Sequence, residues 1–218
     1  GGCANVAYNV VSLGAQASLL SVVGDDDASH LLEDLVAKTG ITPHLGRDAQ
    51  LKTTVKLRVI GRQQQLIRLD FENTPENEGL ASQSATFEKL YPQHGAVLFS
   101  DYGKGGLAHV SDMLAQARAC GIPILIDPKG SDFSRYQGAS VITPNRAELQ
   151  QVIGSWSSED ELRTKAHNLR VQLNLDAVLL TRSEEGMTLF DADGELHVSA
   201  QAREVFDVTG RSEEHTSE

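Results

Sequence analysis

An α/β fold with a largely parallel sheet, helices on both faces and a small β-hairpin is predicted by three observations. From Gly95 onward, apolar strands alternate with helices, and each strand ends in a polar or glycine-rich turn. Across residues 52–72 the apolar period switches to two: Val55, Leu57 and Val59 alternate with Lys56 and Arg58, and Ile67, Leu69 and Phe71 with Arg68 and Asp70. The chain of 218 residues carries no repeat and no segment of domain-separating composition, so one substantial core is a better expectation than two.

The elements follow in order. Val6, Val10 and Leu13, with Ala7 and Val11, recur at helical spacing, and Gly14 stands where a C-cap glycine belongs. Residues 17–23 form a short apolar strand. Gly24-Asp25-Asp26-Asp27 then leads into a helix carrying Leu31, Leu32, Leu35 and Val36, stopped by Gly40. The Asp run is expected to be a turn and helix N-cap rather than a metal site. In the hairpin, Arg58, Arg68 and Asp70 form either a solvated outer face or a ligand contact.

Beyond Gly95, the strand at 96–99 leads to Ser100-Asp-Tyr-Gly-Lys-Gly-Gly106 and a helix over 107–120. The strand at 123–126 leads to Asp127-Pro-Lys-Gly130, and the strand at 139–142 to Thr143-Pro-Asn-Arg-Ala-Glu148, which opens another helix. Ser158-Glu-Asp-Glu161 has capping-box form and starts the helix before the strand at 177–180. Thr181-Arg-Ser-Glu-Glu-Gly186 then turns into a strand at 187–190. Val205, Phe206 and Val208 suggest a short buried strand, with Thr209-Gly210 as its turn.

The formal charge is -11; Arg211 against Glu213, Glu214 and Glu218 supplies -2 of it, leaving about -9 on the body. That argues against a nucleic-acid partner but not against a phosphorylated substrate, because local Lys, Arg and helix N-termini bind phosphate whatever the global sign. Cys3 and Cys120 offer neither a disulfide framework nor metal spacing, suit a reducing cytoplasm, and are expected to be small core residues. No stretch approaches the roughly 20 apolar residues needed to span a membrane.

Parallel strands bring their carboxyl ends to one rim, and open α/β sheets bind ligands there. Asp101, Lys104, Asp127, Lys129, Asn145, Glu148, Thr181, Gly186 and Asp207 are therefore expected to converge. Taken alone, each turn is a helix cap or loop punctuation. The periodicity by itself supports only a ligand-binding α/β domain.

Gly1-Gly-Cys-Ala-Asn5, Ser100-Asp-Tyr-Gly-Lys-Gly105, Asp127-Pro-Lys129, Thr143-Pro-Asn-x-x-Glu148, Thr181-Arg-x-x-x-Gly186 and Asp207-Val-Thr-Gly210 occur in one order. In this the chain resembles the ribokinase and phosphofructokinase-B type of carbohydrate kinases over residues 1–210. Lys56-Leu-Arg-Val, Gln64-Gln-Leu-Ile-Arg-Leu-Asp-Phe-Glu72 and Leu125-Ile-Asp-Pro-Lys-Gly-x-Asp-Phe-x-Arg-Tyr136 bring it nearest to the members acting on D-glycero-β-D-manno-heptose 7-phosphate.

The resemblance implies a cytoplasmic enzyme with a ribokinase-like fold. It implies ATP-dependent phosphorylation of the heptose 7-phosphate at its anomeric oxygen, giving the 1,7-bisphosphate used in lipopolysaccharide core synthesis. The nucleotide segment would be Asn145, Arg146, Ala147 and Glu148, with Thr181 and Gly186. Asn145 and Glu148 would orient Mg²⁺-bound water. The sugar side would comprise Gly1, Gly2 and Asn5, with Asp101, Lys104, Asp127 and Lys129. The hairpin would serve as a lid and a possible homodimer contact.

After Asp-Val-Thr-Gly the family continues Ala-Gly-Asp, whose backbone amides form an anion hole approached through Thr209 and Gly210 and whose Asp is the general base. Here Arg211, Ser212 and Glu213 stand instead. Glu213 is not carried over as a base, because the glycine geometry and following helix are missing, and no catalytic residue is assigned. The last eight residues, Arg-Ser-Glu-Glu-His-Thr-Ser-Glu, match the translation of the sequencing adapter AGATCGGAAGAGCACACGTCTGAA. The expectation is a family domain cut at both ends, with 211–218 as a non-native tail and no turnover by the chain as it stands. Another sugar or sugar-phosphate kinase, or a noncatalytic sugar- or nucleotide-binding module, is the alternative.

Overall fold

The structure, a computed structural model, describes residues 2–61, 64–71, 73, 77–103, 105 and 107–200. Gly1, Lys104, the strand expected at Val205–Val208, Asp207, the Thr209-Gly210 turn and residues 211–218 lie outside the described residues. Two units are distinguished among the described residues, one up to residue 87 with residue 105, the other from 88 to 103 and from 107 to 200.

In the first unit, helix α1 (Gly2–Ser12) is followed by strand β1 (Ser18–Gly24), helix α2 (Asp27–Lys38) and strand β2 (Thr42–Asp48). Strands β1 and β2 pair in parallel from Ser18 opposite Thr42 to Gly24 opposite Asp48. The crossover helix buries Val36 against Ala7, Leu19 and Ile41, with Cys3, Val11 and Leu32 packed around them. The Asp run is indeed a cap. Asp26 Oδ1 accepts the Ser29 amide at 2.9 Å and Oδ2 accepts the Thr53 amide at 2.9 Å. These bonds hold the Asp26 carboxyl below its ordinary pKa, that from Thr53 most strongly.

Strand β2 has no counterpart in the sequence reading. Pro43 and Gly46 interrupt it, and its side chains are half-buried or exposed with none in the core, so it shows neither alternation nor an apolar run. The hairpin forms where expected, from β3 (Val55–Gly61) and β4 (Gln64–Phe71), with a register shift between Val59 and Ile60. Leu57, Ile67 and Phe71 on it are exposed. Arg68 pairs with Asp70 at 2.8 Å on the charged face. Helix α3 (Asn77–Leu90) is a second element the sequence reading passed over.

In the second unit, β5 (Val97–Ser100), helix α4 (Val110–Ala119), β6 (Ile124–Asp127), β7 (Val141–Ile142), helix α5 (Arg146–Ile153), helix α6 (Glu159–Gln172), β8 (Ala177–Thr181), β9 (Met187–Phe190) and β10 (Glu195–Val198) succeed one another. One sheet orders them β10-β9-β8-β7-β6-β5. Strands β5 to β8 are parallel, and β9 and β10 continue antiparallel. Ile124, Ile126, Ile142, Val178 and Leu180 are fully buried, as are Leu149 of α5, Leu162 and Ala166 of α6 and Ala117 of α4. The apolar strand runs are thus central parallel strands, covered on both sides.

Two expectations change, and one further strand was not foreseen. Cys120 is exposed rather than core, because it sits past the last turn of α4 as its C-cap, 3.7 Å from the Tyr91 hydroxyl. The capping box at α6 is only half made. Ser158 Oγ accepts the Glu161 amide, whereas the Glu161 carboxylate turns to the amide and hydroxyl of Ser157, both at 2.8 Å. Strand β10 was unrecognised because its four residues are all exposed and hence lack an apolar period.

Candidate active site

The rim of the second unit is built by the last residue of each parallel strand and the turn after it. Ser100 lies opposite Asp127 in the β5–β6 register, and the Asp101 amide donates to the Asp127 carbonyl at 2.9 Å. The two strand ends are therefore locked side by side. The Asp101 carboxylate is buried: Oδ1 accepts the Gly103 amide at 2.8 Å, and Oδ2 accepts the Tyr136 hydroxyl at 2.7 Å with the Arg135 guanidinium at 3.5 Å. Asp127 Oδ2 receives the Ser100 hydroxyl at 3.3 Å.

Lys129 follows Pro128 in the next turn. Its ammonium reaches Glu148 Oε1 at 3.3 Å, and its side chain remains about a third exposed beside a nearly buried carboxylate. Glu148 is the third residue of α5. Its Oε2 accepts the Asn145 amide at 2.9 Å, and Asn145 Oδ1 accepts the Glu148 amide at 2.9 Å. This capping box satisfies two orphan donors at the helix start. One carboxylate thus ends the helix properly with one oxygen and holds a lysine with the other.

The turn after β8 is tied to α5 as well. Asn145 bridges to Thr181 in parallel, and the Thr181 amide donates to the Pro144 carbonyl at 3.0 Å. The Arg182 amide donates to Gly186, that of Glu185 to Arg182 and that of Gly186 to Ser183. Four amides of the expected phosphate turn are therefore spent within the protein, which narrows its backbone donors to Ser183 and Glu184. Gly186 has φ 101°, and a Cβ there would come within 2.6 Å of the Ala200 nitrogen and closer still to the Val198 carbonyl. Its glycine is thus fixed by backbone conformation and by the passing chain.

Arg182 carries most of the local electrostatics. Its side chain is 9% exposed, and its guanidinium meets Glu159 at 2.7 Å and Glu185 at 2.9 Å and donates to Thr188 Oγ1 at 3.3 Å. The paired guanidinium holds the Glu159 carboxyl below its ordinary pKa. Arg146, expected on nucleotide, pairs with Glu185 at 2.6 Å. Ala147 lies in the first turn of α5.

Asp101, Asp127, Lys129, Asn145, Glu148 and Thr181 are thus brought together on one rim, with Arg146 and Gly186 beside it. Gly2 and Asn5 belong to α1 of the other unit, Asn5 exposed. Tyr136, Arg135 and Arg182 were missed. The first two stand seven and six residues past Lys129 in a 3-10 turn, where spacing gives no hint of a return to the rim. Among the described residues no group of three His, Cys, Asp or Glu side chains could hold a metal directly, and no helix is long and apolar enough to cross a membrane.

The fold has counterparts in solved structures. The fold matches phosphofructokinase-2 from Escherichia coli in complex with fructose-6-phosphate at TM-score 0.75 and 18% identity, over 93% of this chain and 69% of that one. It matches ribokinase from Thermotoga maritima at TM-score 0.69 and 18% identity, over 95% and 68% of the two chains. At that identity the likeness is one of fold. Sequence kinship reaches further: 49% identity over 210 residues to D-beta-D-heptose 7-phosphate kinase of Bordetella bronchiseptica, 96% of this chain and 67% of the relative. Bifunctional protein HldE of Shewanella baltica is 48% identical over 211 residues, again 96% of this chain but 44% of the relative, so the chain spans less than half of that protein. With its ribokinase-like architecture, and with residues 1–210 matching the profile described as pfkB family carbohydrate kinase, the chain belongs to the pfkB family of carbohydrate kinases.

Proposed function

We propose that residues 1–210 belong to an ATP-dependent kinase that phosphorylates D-glycero-β-D-manno-heptose 7-phosphate on its anomeric oxygen, giving the 1,7-bisphosphate in the cytoplasm. The observation that carries this reading is the joining of Asp101, Asp127 and Lys129, through the Lys129–Glu148 contact, to Asn145 and Thr181. The choice of heptose 7-phosphate rests on kinship with the Bordetella enzyme.

Phosphoryl transfer asks a protein mainly to position its reactants and to neutralise charge on the transferring group. Lys129 supplies a positive charge at the end of β6, and Asp127 supplies an acceptor for a sugar hydroxyl. Gly1, Gly2, Asn5 and Lys104 complete the proposed sugar side. On the nucleotide side, the Thr181 hydroxyl and the amides of Ser183 and Glu184 offer donors to phosphate oxygens. Mg²⁺ bound with ATP would neutralise developing phosphate charge. The donor set suits a hydrated ion better than a directly ligated one, because the capping box already engages Asn145 Oδ1 and Glu148 Oε2. Glu148 Oε1, facing the rim beside Lys129, is the acceptor we assign to that water shell.

Thr209 and Gly210 would approach the anion hole, and Arg211–Glu218 is proposed as a non-native tail without a general base. The hairpin is proposed as a lid and as a contact between two copies. The test replaces residues 211–218 with the C-terminal continuation of the Bordetella relative and measures ATP-dependent product from heptose 7-phosphate. Product from another sugar alone would make it a different carbohydrate kinase, and saturable binding without turnover a noncatalytic module. The chain ending in Glu218 is expected to show no turnover; activity abolished by Glu213→Gln would overturn that expectation.

A further inference from the structure

Tyr136 is fully buried, yet its hydroxyl is the meeting point of two rim loops. It donates to Asp101 Oδ2 at 2.7 Å and accepts the Lys129 amide at 3.2 Å. The hydroxyl has one proton, so the shorter bond to the carboxylate takes it, and the Lys129 carbonyl at 3.3 Å is a secondary contact. Arg135 adds a guanidinium 3.5 Å from the same Oδ2 and 5.5 Å from the Tyr136 ring centre, and anchors itself on the Leu107 carbonyl. Phe133 packs edge-on against the ring, 5.7 Å between centres. Burial is also the main cause that raises the Tyr136 pKa, so the hydroxyl stays a donor across the working range.

We propose that Tyr136 is a positioning residue: its hydroxyl ties the loop after β5, through Asp101, to the loop after β6, through the Lys129 backbone, and so fixes where the Lys129 ammonium is presented to a sugar phosphate. Backbone hydrogen bonds already join the strands themselves, the last between β5 and β6 among the described residues running from the Asp101 amide to the Asp127 carbonyl. Two residues further on, the Lys129 amide is held by Tyr136. A Lys side chain on a loose loop spends binding energy on its own ordering, whereas a tethered one is preorganised. The functional half of this inference rests on the proposed sugar-phosphate kinase reading; the tether itself does not.

The experiment uses the 218-residue chain and its Tyr136→Phe variant, which keeps the ring and removes the hydroxyl. Hydrogen exchange is measured at the Lys129 amide, and titration calorimetry with heptose 7-phosphate and, separately, with a nonhydrolysable ATP analogue. In the unsubstituted chain the Lys129 amide is expected to exchange at least about a hundredfold below its intrinsic rate, a protection of about 2.7 kcal/mol. Exchange at the intrinsic rate would overturn the tether even if the variant never folds. In the variant the Lys129 amide should exchange about tenfold faster while Ile126 and Ile142 are unchanged, and the sugar phosphate should bind about tenfold more weakly with the ATP analogue unaffected. Equal weakening of both ligands, or of neither, would reduce Tyr136 to a packing residue. Failure of the unsubstituted chain to bind either ligand would count against the kinase reading, and the exchange result would then decide the tether alone.

Discussion

The Lys129 ammonium stands 3.3 Å from Oε1 of Glu148, while Oε2 of the same carboxylate closes the capping box of α5. One side chain thus serves both helix formation and the electrostatics of the rim. Glu148→Gln separates the two roles. The amide oxygen can still accept the Asn145 N–H, but its NH₂ would face the lysine as a second donor. The expected loss is about 1 kcal/mol in urea unfolding, and Glu148→Ala should lose about 1 kcal/mol more because the amide bond also goes. Equal losses from the two variants would mean that the cap contributes nothing.

Asn145 permits a similar separation from the other side of the box. Its Oδ1 accepts the Glu148 amide at 2.9 Å. Asn145→Ser keeps a capping oxygen and should stay within about 0.5 kcal/mol of the unsubstituted chain, while Asn145→Ala should lose about 1 kcal/mol. Both variants should weaken binding of an ATP analogue if the side chain also serves the nucleotide. If only Asn145→Ala weakens it, the residue acts through the helix end alone.

Gly186→Ala should be among the most damaging small substitutions in the second unit. The residue combines φ 101° with the chain of 198–200 passing where a Cβ would sit. Conformation alone costs about 1 kcal/mol or more, and displacing the backbone of 198–200 should bring the total above about 2 kcal/mol. Thermal unfolding measures it. Gly194→Ala is the informative comparison, because Gly194 also has positive φ but has nothing within 4 Å of its Cβ position. Its loss should be confined to the conformational part.

The succession of the parallel strands and the positions of their polar ends were legible because buried parallel strands are continuous apolar runs, and each ends where polarity begins. Ile124, Ile126, Ile142, Val178 and Leu180 carry that signal directly. Strands β2 and β10 were not legible: one is broken by Pro43 and Gly46, and the other is exposed throughout. Within the site, Asp101, Lys129, Asn145 and Glu148 could be placed because they abut strand ends. Tyr136 and Arg182 could not. Tyr136 reaches Asp101 across 35 positions in sequence, and Arg182 reaches Glu159 across 23, distances over which local spacing carries no information.

The start of α6 should make part of the stability dependent on acid pH. Glu161 accepts Lys165, its strongest influence, and then the amide and hydroxyl of Ser157, and these hold its carboxyl at about 2 against an ordinary 4.5. Glu159 is lowered in the same direction, chiefly by Arg182. Over the interval between the two Glu161 values, the unfolded chain binds protons that the folded chain refuses. The contribution is therefore fully present above about 4.5 and drains away as the pH falls toward 2. In Glu161→Gln the melting temperature should fall less steeply over that interval than in the unsubstituted chain, with Glu159→Gln showing a weaker version of the same change. Glu159 is exposed and Glu161 partly so, and high salt should therefore flatten the unsubstituted profile toward those of the variants. Parallel acid profiles for Glu161→Gln and the unsubstituted chain would overturn this assignment of the acid sensitivity to the start of α6.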